Sequence, residues 1–334
     1  MNYVKLILVI TLSFLITGCN LKNIERSAQL DSYIKDTGDI MVYFCPREDC
    51  VQPLVDLLDS AEESIHCAVY ELDLEPLQQK LVEKSQEIEV QVVTDDHYLK
   101  EFNHPFVKID GKNGLMHNKF CVIDNLKIYT GSMNPTNNCA FKNNNNLLVI
   151  ESKVLAQNYE AEFQEMWKGI FKKGDKVLNP LVLLQTSPDT IKIKNYFCPE
   201  DQCESRIKEE LYLANKSIYF LTFSFTSDSI ANVLLNKNTR EGVEVRGVME
   251  AGGSNGEMLT LLNKTGIEAV KDANKYKMHH KVFIIDEKIV ITGSMNPTGN
   301  GNRGNDENIL IIESEEIAKR FKEEFDWIYG EVME

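Results

Sequence analysis

One gapped pattern occurs twice in this chain. Met116-His117-Asn118-Lys119-Phe120-Cys121-Val122-Ile123-Asp124 is followed, after a short turn, by Gly131-Ser132-Met133-Asn134-Pro135-Thr136. The layout returns as Met278-His279-His280-Lys281-Val282-Phe283-Ile284-Ile285-Asp286, then Gly293-Ser294-Met295-Asn296-Pro297-Thr298, with one constant offset throughout, the same from His117 to His279 as from Asn134 to Asn296. Taken once, Gly-Ser-Met-Asn-Pro-Thr is a turn at a strand end, and a lone strand histidine is an ordinary core residue. Duplication of the whole pattern sets that reading aside.

In an extended strand alternate residues share a face, so His117 and Lys119 point one way, as do His279 and Lys281, while His280 faces the other side. The apolar runs Phe120–Ile123 and Val282–Ile285 fit a strand covered on both sides. A histidine and a lysine facing into such a place lose hydration and need an anionic partner. Two copies imply one site at the junction of two similar halves, in which two imidazoles flank an anion held by two ammonium groups and the amides of Asn134 and Asn296. That is a phosphodiester site. One neutral imidazole attacks phosphorus while the other, protonated, serves the leaving oxygen; an unperturbed pKa of about 6.5 allows both states. The scheme calls for no metal and no cofactor.

The paired His-x-Lys-x-x-x-x-Asp and Gly-Ser-x-Asn motifs resemble those of the phospholipase D superfamily, in the form with both motifs in one chain. The resemblance implies an α/β fold of two pseudo-symmetric halves, each a mixed sheet flanked by helices, with the active site at their junction. It also implies a metal-independent two-step reaction through a covalent phosphohistidine. Carried over, His117 and His279 are nucleophile and general acid, and Lys119, Lys281, Asn134 and Asn296 are phosphate ligands. Ser132 and Ser294 assist at the phosphate, and Asp124 and Asp286 complete the motifs as supports near the site. In related nucleases a Glu at a fixed distance after the motif histidine hydrogen-bonds it. Here that distance falls on Glu307 after His279 but on Asn145 after His117. The histidines are therefore not equivalent. Family precedent favours His117 as nucleophile, while Glu307 expected beside His279 argues for the reverse.

In chain order, residues 1–18 carry one charge, Lys5, then the apolar run Leu6–Ile16 and a small-residue exit, and read as a secretory signal. Ile16-Thr17-Gly18-Cys19 resembles a bacterial lipobox with Cys19 as the lipidated residue; plain secretion or a retained anchor are the alternatives. Either way the body is expected outside the cytoplasm. Removing residues 1–18 takes the formal charge from −15 to −16. Such a surface repels nucleic acid and anionic bilayers at long range, and no basic cluster interleaved with aromatics is evident. A tether near lipid points to phospholipid as partner, with nucleic acid second.

Residues 19–38 read as a tether, 39–170 as the first half, 171–190 as a linker and 191–334 as the second half, predicting a monomer with an internal pseudo-dimer. Strands are expected at Asp39–Cys45, Ile65–Leu72, Ile88–Val93 and Leu147–Glu151, and helices at Val51–Glu62, Glu75–Lys84 and Val154–Ile170. The first strand recurs at a shorter offset (198 − 45) than the motif (279 − 117). The second half therefore carries nine extra residues, mostly around Ala251–Leu262, as an active-site rim loop or a plain surface excursion.

Cys45/Cys50 and Cys198/Cys203 occupy equivalent places and suit two short disulfides in an exported protein; a zinc site built from all four is the alternative. Cys67 and Cys121 fall in apolar strands and read as buried thiols. Two function classes follow. One is a lipid phosphodiesterase giving phosphatidic acid, similar in its small form to the cardiolipin hydrolase branch. The other is an exported nuclease of the same superfamily. Transfer to an alcohol, as in cardiolipin synthases, is a third outcome of the same intermediate.

Overall fold

The computed structural model describes residues 33–111, 114–187, 189–252 and 255–333. The expected signal, the lipidation site Cys19 and the tether up to residue 32 lie outside them. The described chain opens with β1 (Ile34–Thr37), β2 (Asp39–Cys45), α1 (Gln52–Asp59), β3 (Ser64–Val69), α2 (Glu75–Lys84) and β4 (Glu89–Thr94). It continues through β5 (Val107–Ile109), β6 (Lys119–Ile123), β7 (Lys127–Gly131), α3 (Asn137–Phe141), β8 (Asn145–Glu151) and α4 (Lys153–Trp167). The order then recurs as β9 (Leu181–Gln185), β10 (Thr190–Cys198), α5 (Cys203–Tyr212), β11 (Ser217–Thr222), α6 (Asp228–Glu241) and β12 (Glu244–Met249). Last come α7 (Gly256–Lys264), β13 (Glu268–Lys271), β14 (Lys281–Ile285), β15 (Ile289–Gly293), α8 (Gly299–Arg303), β16 (Glu307–Glu313) and α9 (Glu315–Met333).

Two mixed sheets result. One has the order β2-β8-β7-β6-β3-β4-β5, and the other repeats it as β10-β16-β15-β14-β11-β12-β13 with β9 and β1 added at the β10 edge. In both, the motif strand sits inside the sheet, antiparallel to both neighbours. That position explains the unbroken apolar runs, since every residue of β6 and of β14 is buried. Helix α1 buries Leu54, Leu57 and Leu58, the helical spacing expected, and α4 starts where the Ser152 hydroxyl accepts the Leu155 N–H at 3.2 Å.

The core forms three layers. A central cluster joins Phe120 and Val122 of the first sheet to Val282 and Ile284 of the second, with Tyr159 and Phe163 of α4 and Phe321 and Phe325 of α9. Separate clusters lie under α1 and α2 and under α5, α6 and α7. No helix among the described residues is long and apolar enough to cross a membrane.

Several expectations need correction. Residues 34–37, read as tether, form β1, and Leu181–Gln185 of the expected linker form β9; the two pair in parallel on the second sheet. The nine-residue insertion is not a bare loop but builds α7, where the first half has a single 3-10 turn at Asp96–Tyr98. Cys67 and Cys121 are not free thiols: they face each other in register across β3 and β6 and are bonded. Cys45–Cys50 and Cys198–Cys203 are disulfides, which leaves no thiols there for zinc.

Candidate active site

The two motif histidines precede β6 and β14, and each is fixed by the opposite half. The His117 N–H donates to the Asp306 carbonyl at 3.0 Å and the Asp306 N–H to the Leu115 carbonyl at 2.9 Å. In mirror image, the His279 N–H donates to the Asn144 carbonyl at 2.8 Å and the Asn144 N–H to the Lys277 carbonyl at 2.9 Å. Two short parallel bridges thus stitch the halves together at the site.

The side chains cross over in the same way. His117 Nδ1 lies 2.8 Å from Glu307 Oε2, whereas His279 Nδ1 meets Asn145 Oδ1 at 2.9 Å and the Ser132 carbonyl at 3.1 Å. This corrects the sequence assignment, which placed Glu307 beside His279 and Asn145 beside His117. The fixed spacing from the motif histidine finds the right side chains but not which half they serve. The buried Glu307 carboxylate accepts a hydrogen bond from His117 Nδ1–H, which leaves Nε2 as the lone-pair nitrogen. Glu307 is itself held by the Ser294 hydroxyl at 2.6 Å and the Asn305 amide at 3.0 Å. The Ser132 hydroxyl accepts the Asn146 N–H at 2.9 Å and lies 3.4 Å from Asn145 Oδ1. Both serines, expected at the phosphate, therefore steady the residues that orient the histidines.

Lys119 and Lys281 are buried, donating to the carbonyls of His117 and His279 at 2.5 and 2.7 Å. Burial pushes the Lys119 ammonium down to about 8, partly countered by Glu307. Lys281 falls well below the usual lysine range through burial and then the charge of Lys119. His279 is depressed well below its ordinary value by burial and by the charges of Lys281 and Lys119; His117 is depressed by burial, against the pull of Glu307. Desolvated positive charge gathered in this way suits an anionic ligand.

Asp124 and Asp286 lie elsewhere, contrary to expectation. Seven residues of extended chain at about 3.3 Å each separate them from their histidines, roughly 20 Å. Each adopts positive φ and accepts backbone N–H groups there: Glu62, Glu63 and Ser64 for Asp124, and Asn215, Lys216 and Ser217 for Asp286. They tie the motif strand to its neighbour and touch no reacting group.

Other contributors went unrecognised in the sequence. Tyr70 and Phe223, at equivalent places just past the ends of β3 and β11, edge His117 and His279 with ring centroids 5.0 and 4.8 Å away. Asp95 and Glu250 accept the backbone N–H groups of Met116 and Met278 at 3.2 and 2.7 Å. Repetition of these positions after β4 and β12 was the available signal. His280 faces away, buried, with Nε2 3.3 Å from Glu324.

Both histidines open on one cavity of about 670 Å³, lined in matched pairs by Asn134 and Asn296, Thr136 and Thr298, and Asn143 and Asn305. The side-chain oxygens of Asn134 and Asn296 are buried without a partner, and both residues line this cavity. No described residue of Ala251–Leu262 lines this cavity. A larger cleft of about 820 Å³ near Asp39, Asp56 and Arg320 contains no motif residue.

Comparison with known proteins gives the same pairing of halves. A family model described as cardiolipin synthase, PLD-like domain matches residues 54–167 and 207–329. The mitochondrial cardiolipin hydrolase of Canis lupus familiaris is 37% identical over 129 residues, 38% of this chain and 50% of that protein. The phospholipase D of Rickettsia conorii is 33% identical over 132 residues, 39% of this chain and 66% of that protein. The chain thus spans about half the length of the cardiolipin hydrolase it matches. In fold alone, the phosphatidylserine synthase of Haemophilus influenzae Rd KW20 superposes with a TM-score of 0.63 at 14% identity, covering 90% of this chain and 89% of that one. With both duplicated motifs, two matched halves and a family model that spans most of the sequence, the chain belongs to the phospholipase D-like family.

Proposed function

We propose that this protein hydrolyses a phospholipid at its phosphodiester, releasing phosphatidic acid and a free alcohol. The observation that carries the reading is the shared cavity, where two imidazoles from opposite halves meet with Nδ1 already engaged and Nε2 left for chemistry. His117 Nε2 donates its lone pair to phosphorus, the bond to the leaving alkoxide breaks, and protonated His279 supplies that oxygen with its proton. Water then attacks the phosphohistidine, giving its proton to His279 as the bond to His117 Nε2 breaks. Lys119 and Lys281 hold charge on the non-bridging oxygens, and Asn134 and Asn296 donate to them. Glu307 makes His117 the more basic imidazole, which supports its assignment as nucleophile.

We further assign the chain to the extracytoplasmic side, tethered through lipidated Cys19 and working as a monomer, its halves at 39–170 and 191–334. The signal-like residues 1–18 and three disulfides support export. The test is product analysis after incubating residues 20–334 with mixed phospholipid vesicles and single-stranded DNA in excess EDTA. Phosphatidic acid with intact DNA is the expected result. Cut DNA with intact lipid would make the protein an exported nuclease, and phosphatidyl transfer to added glycerol in preference to water would make it a transphosphatidylase.

A further inference from the structure

The cavity is pseudo-symmetric where it would hold the phosphate and asymmetric at its two edges. Position by position the halves supply His with His, Asn with Asn and Thr with Thr. At the rim the matching fails: Leu115 stands opposite Lys277, and Glu71 opposite Ser224. Because alternate residues of extended chain share a face, Leu115, His117 and Lys119 form one row and Lys277, His279 and Lys281 the other. The rows differ only at the outermost member.

Neighbouring groups reinforce the difference. On the His117 side, Glu71, Asp73 and Glu101 bring carboxylate oxygens within 4.8 Å of one another. Burial, and then repulsion from Glu101 and Asp73, lifts Glu71 to about 7. On the His279 side, Lys277 lies 5.2 Å from the Phe223 ring, and Lys275 and Lys142 flank Tyr276 at 5.2 and 5.4 Å. Lys142 stands where the other half has Gly304, and Asp73 where it has Thr226. One edge is therefore acidic and the other basic, in a chain whose net charge is −15.

In-line displacement gives these edges different tasks. The nucleophile and the leaving oxygen lie on opposite sides of phosphorus, so with His117 attacking, the leaving alcohol departs along the His279 edge. We infer that Lys277 is a specificity-determining residue that selects phosphodiesters whose leaving alcohol itself bears a negative charge, such as a lipid with a second phosphate on its head group. The inference rests on the lipid reading and on His117 as nucleophile. A cationic head group, by contrast, meets Lys277 at that edge and is disfavoured.

The test compares wild type with Lys277→Gln and Lys277→Arg on cardiolipin and on phosphatidylcholine, each diluted in uncharged detergent micelles so that surface charge is equalised. Bis(4-nitrophenyl) phosphate, whose leaving group has no anionic substituent, reports the diester chemistry separately. Lys277→Gln is expected to lower kcat/KM on cardiolipin about fivefold, the size of one exposed ion pair, chiefly through KM. Its rate on phosphatidylcholine holds or rises, its rate on the nitrophenyl ester stays at wild type, and Lys277→Arg retains the cardiolipin preference. Equal losses on both lipids, or no loss on cardiolipin, would overturn the inference while leaving the lipid reading intact. Turnover of the nitrophenyl ester by a wild-type protein that cuts neither lipid would overturn both.

Discussion

His117 of the first half is held at Nδ1 by Glu307 of the second, 2.8 Å away, and its counterpart His279 is held by Asn145. A carboxylate fixes the tautomer and stabilises the charge that imidazole gains, whereas an amide only orients. Glu307→Gln is therefore expected to lower kcat by about 100-fold, and Asn145→Ala by less, on the scale of positioned acid-base groups. Steady-state kinetics on one diester distinguish them. Equal effects would mean that the carboxylate acts only as a spacer.

The two buried ammonium groups are desolvated and Lys281 feels the charge of Lys119. For Lys119 the folded-state value of about 8 lies below the unfolded value near 10.4, so the unfolded chain binds more protons between them. Stability supplied by this group rises with pH across that window, and below it the destabilisation is fully present. Lys281→Met is expected to stabilise the protein at neutral pH by about 1–3 kcal/mol while abolishing turnover. Inorganic phosphate should raise the Tm of wild type and do so less for the variant. Denaturant titration and thermal scans with and without phosphate measure both.

Activity should be greatest on the acid side. The nucleophile works neutral, and a depressed His117 stays neutral below the usual histidine range; the general acid works protonated, and His279 is depressed further still. As pH rises, His279 loses its proton first and Lys119 its charge near 8. The kcat/KM profile on a soluble diester is expected to peak below about pH 6.5 and to fall through neutrality. A profile still rising at neutrality would contradict this ordering.

The three disulfides close loops of unequal length. Cys67–Cys121 spans 54 residues, while Cys45–Cys50 and Cys198–Cys203 span 5 each. Loop-closure entropy gives about 4 kcal/mol for the long loop against about 2 for each short one. Cys67→Val combined with Cys121→Val should therefore cost more stability than removal of either short bridge, measured by urea denaturation under non-reducing conditions.

Much of this was legible in the sequence, for identifiable reasons. One constant offset between the two copies marks His117, Lys119, Asn134 and their partners, because a strand and its following turn preserve spacing when a half is duplicated. Helix α2 lies where its apolar period and Pro76 place it, at Glu75–Lys84. Other features depend on contacts that local pattern does not encode. Glu307 serves the far half because β16 begins beside the Met116 bridge rather than beside its own histidine. Cys67 finds Cys121 only through the register of β3 and β6. Asp124 was drawn to the site by belonging to the motif, yet an extended strand carries it to the far end of the sheet. Ile34–Thr37 read as spacer because a strand of four residues has too short a period to recognise.

The central claim is that His117, backed by Glu307 from the other half, becomes covalently bound to phosphorus. The direct measurement is mass spectrometry of rapidly quenched His279→Asn protein mixed with a short-chain phospholipid, under conditions that preserve acid-labile phosphoramidates. The account predicts a phosphatidyl adduct on the peptide containing His117, absent from His117→Asn. An adduct on His279 in the His117→Asn protein, with none on His117 in the reciprocal variant, would contradict it.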